Sequence, residues 1–70
     1  MRNPYPLGRS VACRLRRECG DDVETLGDLV GPGERMKWCR ERVEEYHPEL
    51  TRDECSYVAR WVFRILWGDE

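Results

Sequence analysis

The chain contains no glutamine, one asparagine, one lysine, two alanines, two serines and two threonines among its 70 residues. Its four cysteines form no C-x-x-C pair, and it has a single histidine, no phosphate-binding glycine loop and no nucleophile motif. The spacing signatures of zinc fingers and ribbons, P-loops and serine hydrolases are therefore excluded. Long apolar runs are missing too. The most apolar stretch, Tyr57 to Trp67, has 11 residues and is interrupted by Arg60 and Arg64, whereas a membrane-spanning helix needs about 20. The opening MRNPYPLGRS has no apolar signal core. These absences predict a cytoplasmic protein without a membrane partner.

Size sharpens the point. A chain this short buries only about 60% of the surface its unfolded form exposes, so a staple or a second subunit is expected. His47 stands just before Pro48, where a helix-terminal histidine serves the last carbonyls. No cofactor, metal, small-molecule substrate or enzymatic activity is expected.

What is present is charge. Asp, Glu, Lys and Arg make up 37% of the residues, and eleven of the twelve basic side chains are arginine. Amide-poor, ion-pair-rich usage resembles that of proteins from very hot environments and points to a hyperthermophilic archaeal source. The net charge of −2 hides an asymmetry. Residues 1–17 carry Arg2, Arg9, Arg14, Arg16 and Arg17 and no acid, whereas residues 18–30 carry Glu18, Asp21, Asp22, Glu24 and Asp28 and no base. A basic arm on an acidic body is suited to an anionic partner, although it also suits simple neutralisation of the acidic segment that follows it.

Pro4 and Pro6 predict an extended lead-in over 1–8. Over 9–17, Val11, Cys13 and Leu15 alternate with Ala12, Arg14 and Arg16. This period of two predicts a strand with one apolar and one basic face; Val11 and Leu15, four apart, would also suit a helix. Helices are predicted over 21–30, 34–47 and 52–67. The first is opened by Asp21 or Asp22 and ended by Gly31-Pro32-Gly33, and the second is closed by Pro48. The third follows a T-x-x-E capping box at Thr51 and Glu54. It is apolar nearly all round, and two short helices cannot cover it. Self-association as a homodimer or larger assembly is therefore expected, with Tyr57, Trp61, Val62 and Leu66 at the interface. Cys39 and Cys55 fall on apolar helix faces, where buried free thiols are common. If a disulfide forms, these two are the expected pair.

Residues 11–46 resemble the ribbon-helix-helix family of DNA-binding proteins. VACRLRR stands at the family's strand, DVETLGDLV at its first helix, and the G-P-G turn with ERMKWCRERVEEY at its second. The resemblance implies a mainly α fold: a short N-terminal β-strand and then helices, here with a third beyond the usual two. It also implies a dimer whose paired strands enter the major groove of double-stranded DNA, with Val11 and Leu15 facing inward. Ala12, Arg14 and Arg16 would read bases, and the phosphate contact would fall at Gly33 to Arg35. Gly33 stands where the family has a hydroxyl cap. With Arg9, Arg17 and Arg35 on phosphates, the expected role is a chromatin-organising protein or transcription regulator. The alternative is a helical module that docks a protein through its aromatic C-terminal helix.

Overall fold

The computed structural model describes residues 3–68. Four helices follow one another: α1 (Tyr5–Glu18), α2 (Gly20–Leu29), α3 (Pro32–Tyr46) and α4 (Arg52–Trp67). No strand occurs among the described residues. The expected N-terminal β-strand over 9–17, and with it the ribbon-helix-helix architecture, is overturned: that segment is the body of α1. The lead-in over 1–8 is likewise helical from Tyr5, while Met1 and Arg2 lie outside the described residues.

The cause is local. Pro6 is in the first turn of α1, where backbone N–H groups have no intrahelical partner and proline's fixed φ suits the helix. Asn3 Oδ1 accepts the Tyr5 N–H at 3.1 Å. Gly8, Val11, Ala12 and Leu15 are buried along one side; their spacing is helical. Cys13, which completes the apparent alternation, is exposed. The alternation therefore depends on counting an outward thiol as core and overlooking two small inward residues.

The helices expected over 21–30, 34–47 and 52–67 lie at Gly20–Leu29, Pro32–Tyr46 and Arg52–Trp67. Thr51 Oγ1 accepts the Glu54 N–H at 3.2 Å, and the Glu54 carboxylate accepts the Thr51 N–H at 2.9 Å. This reciprocal cap satisfies two of the unpaired donors at the start of α4. α4 packs between α1 and α3, while α2 packs chiefly on α1. The core consists of Val11, Ala12, Leu15, Val23, Cys39, Val43, Cys55, Val58, Ala59 and Val62. The cover for α4 that was expected from a second subunit is supplied by α1 of the same chain. That removes the premise on which a dimer was inferred.

Two glycines permit close approach. A Cβ on Gly8 would lie 2.6 Å from the Trp61 Cβ and 3.3 Å from the Val58 carbonyl oxygen, so the α1–α4 contact requires a bare backbone there. A Cβ on Gly27 would lie 2.9 Å from Trp67 Nε1, the atom that donates to the Val23 carbonyl at 3.0 Å. That bond helps hold α2, whose only buried residue is Val23. No described helix is long and apolar enough to cross a membrane.

Candidate nucleic-acid interface

α1 carries four arginines and one glutamate, and α2 carries four acids and no base. Because α1 presents its apolar side to α4, its arginines are left on the outer surface, where all four are exposed. They are not equivalent. Arg14 Nε reaches Glu18 at 3.2 Å, and its guanidinium lies 4.1 Å above the Tyr46 ring. Tyr46 donates in turn to Glu18 at 3.4 Å. Burial, then the nearby Cys19 and Glu18, push the Tyr46 phenol above its ordinary pKa. Arg14 is thus engaged within the chain. Arg16 Nη2 donates to the Ile65 carbonyl at 2.8 Å, placing a cation at the negative C-terminal end of α4. Arg9 and Arg17 make no hydrogen bond, ion pair or ring contact among the described residues.

Arg60 and Arg64 extend this surface onto α4. Tyr5 and Trp61 meet edge to face at 5.1 Å, joining the N-terminal end of α1 to α4. Arg64 lies 5.7 Å over the same indole. Tyr57, Arg60, Trp61 and Arg64 line a shallow depression of about 200 Å³. Neither Arg60 nor Arg64 forms an ion pair among the described residues, whereas Arg14, Arg40 and Arg42 pair with Glu18, Glu44 and Glu45. The carboxylate in this area of α4 is Asp53, which borders a neighbouring depression with Ser56, Tyr57 and Arg60. The result is a surface of unpaired guanidinium groups interleaved with Tyr5, Tyr57 and Trp61. In the sequence Arg60 and Arg64 stand out only as a polar stripe. That stripe marks an outward face but does not show that α1 brings its arginines alongside.

The remaining candidate residues are dispersed. Ala12, assigned to base reading, is fully buried against α4 and reaches no surface. Val11, Leu15 and Val62, assigned to a subunit interface, are buried in the chain's own core. Trp61 and Leu66 are half-buried, and Tyr57 is 57% exposed. Gly33 is exposed in the first turn of α3. Arg35 donates to the Val30 carbonyl at 3.2 Å and lies 5.5 Å from both the Phe63 and Trp67 rings. It lines a depression with Glu24, Gly27, Asp28 and Trp67, in acidic surroundings apart from the α1–α4 contacts.

Cys39 and Cys55 are buried free thiols rather than a disulfide, Cys13 is exposed, and Cys19 is half-buried. Burial pushes the Cys39 thiol up to about 12, against the opposing charge of Arg35. Burial and then Glu44 raise Cys55. Among the described residues, no three metal-ligating side chains converge. His47 Nδ1 lies 3.3 Å from the Glu49 carboxylate. In comparisons with known proteins, no family model, curated protein or solved structure matches this chain.

Proposed function

We propose that this chain binds double-stranded DNA through backbone phosphates, using the outer face of α1 together with the adjoining face of α4. One observation carries the reading: Arg9, Arg16, Arg60 and Arg64 lack carboxylate partners among the described residues, whereas Arg14, Arg40 and Arg42 are each paired with a glutamate. Unpaired guanidinium groups keep their full field and can displace counterions from DNA, which is the main source of sequence-independent affinity. Phosphate contacts position a protein on the duplex without reading its sequence. A rigid helix with Ala12 buried offers no ribbon for base readout, so the reading favours a chromatin-organising role in the cytoplasm over sequence-selective regulation. Net acidity is no obstacle, because the acids of α2 are concentrated on another element.

Arg9 and Arg60 make no contact that holds the fold. Replacing both with Ala is expected to leave the helical circular-dichroism spectrum and unfolding midpoint unchanged. Affinity for a labelled duplex should fall, and the log–log salt slope should flatten by about 0.9 for each phosphate that is no longer neutralised. Equal binding by the parent and the double variant across salt concentrations would overturn this reading.

The alternative of protein docking through the aromatic C-terminal helix narrows to Tyr57, the large apolar side chain on α4 that stands well clear of the surface.

A further inference from the structure

Where α2 ends and α3 begins, Leu26, Val30 and Trp38 line a small apolar depression of about 230 Å³, rimmed by Glu34, Glu41 and Lys37. Leu29, beside Val30, is 79% exposed. Asp22 lies one turn before Leu26 on the same side of α2. Carboxylates outnumber the single ammonium around this apolar floor, and neither Glu34 nor Glu41 forms an ion pair among the described residues. The depression is open because α2 packs chiefly on α1 rather than on α3.

Its complement is present on the same chain. Tyr57 is 57% exposed, makes no ring contact or hydrogen bond among the described residues, and is flanked by Arg60 and Arg64. A tyrosine combines a large apolar body with a polar tip, a combination enriched at the buried centres of interfaces. We propose that copies of this chain associate head to tail, with Tyr57 of one copy seated in the acid-rimmed depression between α2 and α3 of the next. Arg60 and Arg64 then face Glu34 and Glu41. A two-fold arrangement of depression on depression would oppose like charges, so the contact joins unlike surfaces. Head-to-tail association leaves each copy one free end until a ring closes, whereas a reciprocal two-fold pair would stop at the dimer mass. The inference does not depend on DNA binding, although the two uses share Arg60 and Arg64.

The test is sedimentation equilibrium of the full chain at low salt without DNA. The expected result is a weight-average mass above 8.4 kDa that rises with concentration and falls on adding salt. Two variants block opposite ends: Leu29→Arg with Glu41→Arg blocks the depression, and Tyr57→Ser with Arg60→Glu removes the anchor. All four sites are exposed, and circular dichroism checks that both variants are folded. Each variant alone should remain monomeric, and an equimolar mixture should give a dimer and nothing larger. Tyr57→Ser alone should also return the monomer mass. The proposal is overturned by a parent that stays monomeric at all concentrations, by Tyr57→Ser assembling as the parent does, or by a mixture of folded variants that forms no dimer.

Discussion

Gly8 and Gly33 are both helical glycines, yet they predict opposite responses to the same change. At Gly8 an added methyl would meet the Cβ of Trp61 at 2.6 Å. A Cβ cannot swing aside, so α1 must move off α4. Overpacking of this kind costs about 1–3 kcal/mol, enough to outweigh the gain of up to about 1 kcal/mol from alanine's better helix propensity. Gly33 has nothing within 4 Å of the same position, so Gly33→Ala should stabilise by about 0.5–1 kcal/mol. Urea unfolding of the two variants should give midpoints on either side of the parent's; a Gly8→Ala midpoint above the parent's would contradict the close α1–α4 contact.

The cysteines make a second residue-scale prediction. In the folded chain the Cys39 thiol titrates near 12 rather than at its ordinary 9.0. Below about pH 9 both states hold the proton and stability is unaffected. As pH rises from about 9 toward 12, the unfolded chain ionises first, and folding loses on the order of a few kcal/mol. The raised Cys55 and Tyr46 act in the same direction. At pH 8 the thiolate fraction of a thiol near 12 is about one in ten thousand. Iodoacetamide should therefore modify exposed Cys13 in the native protein and reach Cys39 only on unfolding, as read by mass spectrometry. Rapid native labelling of Cys39 would contradict its burial.

At the scale of elements, legibility follows the strength of local signals. α4 is readable because Thr51 and Glu54 announce its start and its apolar residues recur at helical spacing. Gly31-Pro32-Gly33 and Pro48 likewise bracket α3. α1 reads as a strand because its inward side uses Gly8 and Ala12, which add little hydrophobic signal, and because a first-turn proline looks like a barrier. From that one error come the ribbon, the dimer argument and the base-reading role of Ala12. The arginines of α1 are visible as charge, but Arg60 and Arg64 join them only through packing that no local pattern encodes. The cap offers a check on α4: Thr51→Ala should destabilise by about 1 kcal/mol, lowering the thermal midpoint. The bond from the Thr51 N–H holds the Glu54 carboxyl below the usual range. Its contribution is therefore present above the ordinary carboxyl pKa and is lost as pH falls through the lowered one. An unchanged midpoint in the Thr51→Ala variant at neutral pH would remove the cap as a source of stability.

At the scale of the whole molecule, Arg9, Arg16, Arg60 and Arg64 gather on the joined α1–α4 surface, while α2 carries four acids and no base. The central claim is that the α1–α4 surface meets DNA phosphates. It is tested most directly by adding a short duplex to isotope-labelled protein and following arginine side-chain, indole and backbone resonances at low salt. DNA binding at this surface predicts that the guanidinium signals of Arg9, Arg16, Arg60 and Arg64 and the indole signal of Trp61 shift together and return on adding salt, while Asp21 to Leu29 and Arg35 stay in place. No shift anywhere, or shifts centred on Gly33 and Arg35 with α1 unmoved, would contradict it.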